Sequence, residues 1–238
     1  MKRILITGAT SGIGKATFEL ATANGHTVFL TGRNEEALIN LVKDRPNAFY
    51  FKTDITKIED VILMEREVKN KITGIDVLIN NAGIGIFDNL QDGKLEDWNT
   101  MIDVNIKGLL NVLHTFLPNL IKENGHIINL GSVASHHIFP NSGVYCATKH
   151  AVLAISEGIR ADLSKKVRVT TISPGTVNTP FIDKTKNESL LKQFKPTFDI
   201  GMTPELVATQ IINAIELPNN ANISEIIIRP FYPSNNTN

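Results

Sequence analysis

Tyr145 and Lys149 stand four residues apart, a spacing that puts both side chains on one face of a helix. A phenol is a poor base near neutrality because its ordinary pKa is about 10, and a neighbouring ammonium favours the phenolate by charge attraction. Such a pair can move a proton, as general acid in one direction and general base in the other. The spacing by itself is common in helices, and context gives it weight. Ser132 lies just beyond an apolar run, 126–130, that reads as a strand. Its hydroxyl would therefore stand at a carboxyl edge of a sheet, where it could hydrogen-bond a substrate oxygen and stabilise developing negative charge.

A second feature precedes these residues. The first apolar run ends in Thr7-Gly8-Ala9-Thr10-Ser11-Gly12-Ile13-Gly14, and a helical pattern follows. Glycines at such a turn let the backbone approach a pyrophosphate, which the helix N-terminus then stabilises. Lys15 after Gly14 suggests the phosphate loop of nucleotide hydrolases. That motif requires Gly where Ala9 stands and Ser or Thr where Ala16 stands, so it is rejected. The glycine spacing also departs from the common dinucleotide fingerprint.

The elements that must position these groups alternate along the chain. Strands are predicted at 3–6, 27–30, 48–52, 76–79, 126–130, 168–172 and 225–228, mostly as near-continuous apolar runs typical of strands buried on both faces. Helical spacing fills 14–23, 35–43, 58–70, 95–122, 143–163 and 204–215. Asn34 before Glu35-Glu36 is a helix start. Right-handed strand–helix–strand units predict an α/β fold: a doubly wound, mostly parallel sheet of Rossmann type, about seven strands with helices on both faces. Residues 1–238 read as one domain, with 233–238 a flexible tail. In such sheets ligands bind beyond the carboxyl ends of the strands.

Taken together, Thr7-Gly8-x-x-x-Gly12-x-Gly14, Asn80-Asn81-Ala82-Gly83, Asn105, Ser132, Tyr145-x-x-x-Lys149 and Pro174-Gly175-x-x-x-Thr179 form an ordered set over nearly the whole chain. The set resembles the short-chain dehydrogenases/reductases. The resemblance implies hydride transfer between a nicotinamide cofactor and a small carbonyl or secondary alcohol, with Ser132, Tyr145 and Lys149 catalytic. It implies that Gly8, Thr10, Ser11, Gly12, Ile13 and Gly14 hold the pyrophosphate. Asp54 would contact the adenine with Ile55 alongside, and the Asn81-Ala82-Gly83 backbone would pass the adenine ribose. Lys149 would bind the nicotinamide ribose, Pro174-Gly175 would turn beneath the ring, and Thr179 would hold its carboxamide. Asn105 would support a water that links Lys149 to solvent. Two bland readings stand beside these: Asp54-Ile55-Thr56 as a helix-starting turn, and Asn105 as an asparagine satisfying a local backbone group.

Cofactor choice rests on Thr31-Gly32-Arg33 at the end of the second strand. No carboxylate stands there for a ribose 2′-hydroxyl, and Arg33 offers a planar charged fork to a 2′-phosphate. NADP(H) is expected before NAD(H); a surface arginine starting a helix is the alternative. Two other functions keep the scaffold: a catalytically silent NADP(H)-binding regulator, and an epimerase or dehydratase.

Composition excludes other partners. Twenty-four basic residues balance twenty-four acidic ones, so no field of one sign argues for nucleic acid or an anionic membrane. The apolar stretch after Met1-Lys2-Arg3 is too short for a signal sequence or a membrane span. With one cysteine, Cys146, the expectation is a cytoplasmic protein. The six histidines form no convincing metal set with Cys146, and Cys146 reads as a small buried apolar residue. His136 and His137 are candidates for the pocket wall or for solvated loop residues.

The stretch 180–202 corresponds to the family's substrate lid. Phe181, Phe194 and Phe198 there could cover an apolar substrate, and Lys184, Lys186, Lys192 and Lys195 could meet an anionic one. Residues 85–93, with Phe87, and 133–144 are the other expected walls. The resemblance also implies a homodimer or homotetramer through 95–122 and 143–163. Leu109, Leu110, Val152 and Ile155 would serve that interface or the chain's own core.

Overall fold

The computed structural model describes residues 1–232, so the expected tail at 233–238 lies outside the described residues. The seven apolar runs form β1 (Arg3–Thr7), β2 (Thr27–Gly32), β3 (Ala48–Lys52), β4 (Val77–Asn80), β5 (His126–Leu130), β6 (Arg168–Pro174) and β7 (Glu225–Ile228). All pair in parallel in the order β3-β2-β1-β4-β5-β6-β7. The chain order reverses between β1 and β4, where a doubly wound sheet opens its crevice. The expected Rossmann-type architecture is therefore present. Strand ends move by up to two residues, chiefly because β2 and β6 run further towards the crevice.

The α-helices among the described residues are α1 (Gly12–Ala23), α2 (Glu35–Val42), α3 (Ile58–Ile72), α4 (Leu95–Ile102), α5 (Leu109–Lys122), α6 (Gly143–Leu163), α7 (Glu188–Asp199) and α8 (Pro204–Glu216). Strand side chains alternate between two buried layers. Ile4, Ile6, Val28 and Leu30 pack with Phe18 of α1 and Ile211 of α8 on one face. Leu5, Phe29 and Leu78 pack with Met64 of α3, Phe116 of α5 and Ile159 of α6 on the other. Because both faces are covered, all five residues of β5 are buried, including the polar His126 and Asn129. Asn34 caps α2 as expected, accepting from the Ala37 N–H at 3.1 Å.

Two helical expectations are corrected. The stretch expected as one helix over 95–122 is α4 and α5 joined by a wider π turn, Asp103–Gly108. Such turns insert an extra residue without ending the helix, and here the turn carries Asn105. Within 180–202 lies a helix that the sequence reading did not place. Asn187 caps α7 by accepting from the Leu190 N–H at 3.2 Å, and Pro196 near its end lacks the N–H of a regular turn. Of the apolar residues proposed for either core or interface, Leu109 and Val152 are buried within this chain, while Leu110 is 42% exposed.

No helix among the described residues is long and apolar enough to cross a membrane. Phe116 sits at the centre of the α3–α5–α6 layer, 1% exposed. Replacing it with Ala should lower stability by about 3–5 kcal/mol. The check is a fall in the urea midpoint with an unchanged slope.

Candidate active site

The crevice is built from loops that leave β1 and β4. Gly8 turns the first loop at φ +64°, and a Cβ there would lie 2.7 Å from Ala82 Cα. A side chain would therefore be strained twice, by conformation and by contact. The Asn81 side chain donates to the Thr7 carbonyl at 2.9 Å and the Gly8 carbonyl at 3.0 Å. The Thr7 hydroxyl accepts from the N–H groups of Asn81 and Ala82, each at 3.1 Å. Gly14 lies behind this junction: a Cβ would stand 2.4 Å from Asn81 Nδ2. It is a packing glycine at the start of α1, not a wall of the groove.

A groove of about 340 Å³ follows the junction. Gly8, Thr10, Ser11, Gly12, Ile13, Arg33, Asp54, Ile55, Asn81, Ala82, Gly83 and Thr179 line it, bringing together nearly all of the expected cofactor residues. The lining fits a dinucleotide: a glycine turn runs into a helix N-terminus at one side, and an exposed Arg33 stands at the other. The Asp54 carboxylate accepts from the Thr56 N–H at 3.1 Å and its hydroxyl at 2.8 Å. Burial opposes its charge, but the Thr56 bonds, with Arg33 and Lys57 nearby, hold its pKa below the ordinary value. Asp54 thus makes the turn of the bland reading and also faces the groove. Lys184 joins the same lining, and burial together with the Arg33 charge pushes its ammonium pKa down. Sequence reasoning grouped Lys184 with the substrate lid; its place beside Arg33 follows from the short helical turn Pro180–Lys184, which sequence distance does not reveal.

The groove opens into a cavity of about 460 Å³ at the carboxyl ends of β5 and β6. The two share Ile13, Asn81, Gly83, Thr179 and Phe181. Ser132, Tyr145, Lys149, Pro174 and Gly175 line the cavity. Ser132 is extended and caps a short turn, Val133–Ser135. Its hydroxyl accepts from the Ala134 N–H at 3.1 Å and reaches the Pro174 carbonyl at 3.4 Å.

Tyr145 lies in the first turn of α6, 8% exposed. Its ring meets the rings of Phe87 and Phe181 edge-on, each at 5.5 Å between centroids. Burial pushes the phenol well above its ordinary pKa, and hydrogen bonding by Ser132 opposes that shift. One turn on, Lys149 Nζ lies 6.0 Å from the Tyr145 ring centre and donates to the Leu130 carbonyl at 2.7 Å. Burial lowers its pKa to about 8.

Asn105 lines neither space. Its amide accepts from the Ile84 N–H at 2.8 Å and donates to the Ile84 carbonyl at 2.9 Å and the Thr148 hydroxyl at 3.0 Å. Thr148 in turn donates to the Tyr145 carbonyl at 2.7 Å. Asn105 therefore satisfies backbone groups, as the bland reading has it. Those groups belong to the segment after β4, far away in sequence, and the contact braces α6 beneath Tyr145 and Lys149.

The remaining expectations sort cleanly. Phe181, Phe194 and Phe198 all line the cavity, as do Phe87 and Phe139. His136 lies outside it, paired with Glu225 at 2.7 Å, and His137 also faces elsewhere, beside Arg229. Cys146 is buried. Among the described residues, no group of three or more His, Cys, Asp or Glu could hold a metal ion.

Comparison with known proteins agrees with this geometry. The family model described as short chain dehydrogenase matches residues 2–190. An uncharacterized oxidoreductase of Staphylococcus saprophyticus is 39% identical over 235 residues, covering 96% of each chain. The closed form of serine dehydrogenase complexed with NADP+ superposes with a TM-score of 0.89 at 33% identity, covering 98% of this chain and 97% of that one. A short chain dehydrogenase/reductase from Burkholderia phymatum in complex with NAD gives 0.88 at 26% identity, with coverage of 95% and 88%.

The buried ammonium makes a testable link to stability. Lys149 has a folded pKa of about 8 and an unfolded one of about 10.4. Between those values the unfolded chain binds more protons, so stability rises with pH there and is lowest below pH 8. Relative to Lys149→Met, the wild-type chain should gain on the order of 2–3 kcal/mol from pH 8 to 10.5. Denaturant curves for both proteins across that range check the sign.

Proposed function

The chain belongs to the short-chain dehydrogenase family, and from that premise we propose that it is an NADP(H)-dependent oxidoreductase acting on small carbonyls and secondary alcohols. The observation that carries this reading is the meeting of Ser132, Tyr145 and Lys149 on one side of an apolar cavity that is continuous with the groove. A bound nicotinamide supplies or accepts the hydride at the carbonyl carbon, the cofactor and substrate changing oxidation state by two electrons in opposite senses. Everything else falls to the chain. As the carbon–oxygen double bond becomes a single bond, Tyr145 gives its phenolic proton to the oxygen. Ser132 hydrogen-bonds the same oxygen and steadies the charge that builds on it. Lys149, held by the Leu130 carbonyl, stabilises the phenolate left behind and binds the nicotinamide ribose, as the family resemblance implies. In oxidation each transfer reverses.

Gly8 to Ile13 hold the pyrophosphate with their backbone at the start of α1. Thr179, between groove and cavity, holds the carboxamide. Arg33 takes the 2′-phosphate, and Lys184 adds a second cation from the lid side. Two like charges near one another oppose each other until a phosphate sits between them, which supports NADP(H) over NAD(H). Structural relatives with NADP+ bound and with NAD bound are consistent with NADP(H) use and leave NAD(H) as second choice. The reading extends to one domain over 1–238, acting in the cytoplasm as a homodimer or homotetramer.

Tyr145→Phe should lower kcat for NADPH-dependent carbonyl reduction by about 10²–10⁴-fold and leave the NADPH dissociation constant within about threefold. Full activity in that variant would remove the proposed proton donor. Arg33→Ala should raise the KM for NADPH at least about tenfold, and Lys184→Ala about three- to tenfold, with NADH unaffected in both. Equal losses with the two cofactors would instead mean that neither cation reads the 2′-phosphate.

A further inference from the structure

The cavity beside Tyr145 has a chemical character of its own. Its walls are Phe87, Phe139, Phe181, Phe194 and Phe198, with Val177 beneath. Among the described residues lining it, Tyr145 and Lys149 are the ones that ionise. The other polar side chains are neutral: Asn81, Ser132, Asn141, Ser142, Thr176, Thr179, Gln193 and Thr197. Ser142 already donates to the Phe139 carbonyl at 2.7 Å. Lys149 is committed to the Leu130 carbonyl at 2.7 Å and stands over Gly83, on the cofactor side.

The lid lysines do not change this. Lys186 pairs with Asp97 at 2.7 Å and Lys195 with Asp199 at 2.6 Å. Lys184 lies in the cofactor groove, and Lys192 is exposed on α7 away from the lining. A carboxylate drawn into this cavity would leave water and meet no cation but Lys149, which is held by the Leu130 carbonyl on the cofactor side, and this is costly in apolar surroundings. A serine, carrying both a carboxylate and an ammonium, would suffer twice. An aromatic or branched apolar group would instead meet ring edges and faces. The volume, shared with the nicotinamide, is at the small end of ligand sites of roughly 300–1,000 Å³.

We propose that the substrate is a small, electrically neutral ketone or aldehyde, or the matching alcohol, whose carbonyl carries an aromatic or branched apolar group, and that hydroxy acids and amino acids are excluded. This rests on the redox reading above and narrows it. Because the aromatic wall carries only neutral side chains, Lys149 faces the cofactor side and the lid lysines lie outside the lining, exclusion comes from the absence of charge compensation at this wall rather than from size.

The test is a matched pair: methyl benzoylformate and benzoylformate, an ester and its acid with the same reacting carbonyl. NADPH-dependent kcat/KM should favour the ester by about a hundredfold or more, and L-serine should not be oxidised with NADP+. Equal or better use of the acid, or oxidation of serine, overturns the proposal. Gln193→Lys, at the exposed rim of the same wall, should raise the acid-to-ester ratio of kcat/KM at least about tenfold, and an unchanged ratio would overturn the charge-compensation argument. Equilibrium binding to the wild-type protein with NADP+ present separates the two readings, since a ketone cannot be reduced there. Preferential binding of the ester without turnover by NADPH would sink the redox assignment and keep the pocket; turnover with no preference in binding or rate would sink the pocket and keep the redox assignment.

Discussion

One stitch holds the site together: the Asn81 amide bonded to the carbonyls of Thr7 and Gly8, with the Thr7 hydroxyl accepting from Asn81 and Ala82 in return. It lies where β1 and β4 stop pairing and their loops part towards opposite faces of the sheet. Backbone groups at such strand ends have no ladder partner and must find one elsewhere. Here they find each other through two side chains. The contact is close enough that neither Gly8 nor Gly14 could carry a Cβ without moving backbone or the Asn81 amide. Groove and cavity both use Asn81 and Gly83 as walls, so the shape of each follows from this junction.

Tyr145 is positioned by a second set of contacts. Asn105 holds Ile84 from two directions and reaches Thr148, whose hydroxyl binds the Tyr145 carbonyl. Lys149 ties the same helix to the end of β5. Below them a buried chain runs from Asn80 to Asn129 to Ser156, with bonds of 2.9 Å. Polar groups buried this deeply are costly unless they find partners; Asn80 Oδ1 has none among the described residues, and the other bonds of this chain tie α6 to the sheet through Ser156. The π turn belongs to this scheme, since it places the Asn105 amide against Ile84 while α4 and α5 continue on either side.

Much of this was legible in the sequence for a physical reason. Strands buried on both faces must be almost wholly apolar, so β1, β4 and β5 announce themselves, and the residues just beyond them are the ones that can meet a ligand. Helices with a clear cap, such as α2, were equally plain. The structure adds what depends on long-range placement. Pro196 obscured α7 because local propensity counts a proline against a helix even near its end, where one lost bond is tolerable. The π turn left no mark in a periodic pattern that reads through it. Lys184 looked like one of four similar lid lysines; only the turn at Pro180–Lys184 separates it from Lys186 and Lys195, which are bonded to Asp97 and Asp199. Asn105 and Gly14, both expected at the site, stand behind its walls: Asn105 braces Ile84 and Thr148, and Gly14 packs against the Asn81 amide.

The electrostatics of the buried pair bear on direction. Burial raises the phenol pKa of Tyr145 and lowers the ammonium pKa of Lys149, so each group by itself is driven towards its neutral form. At neutral pH the phenol keeps its proton, which is the state that a proton donor requires. In the proposed reaction, reduction of a carbonyl would begin from that protonation state. Oxidation would need the phenolate first, and the positive charge of Lys149 would offset part of the cost of creating it in an apolar setting. The aromatic wall sharpens the same asymmetry. By keeping the phenol dry between Phe87 and Phe181, it strengthens the hydrogen bonds that the reacting oxygen accepts and makes any uncompensated charge beside them expensive. The features that suit the cavity to the proposed neutral carbonyl are thus the features that keep the Tyr145 phenol buried and protonated.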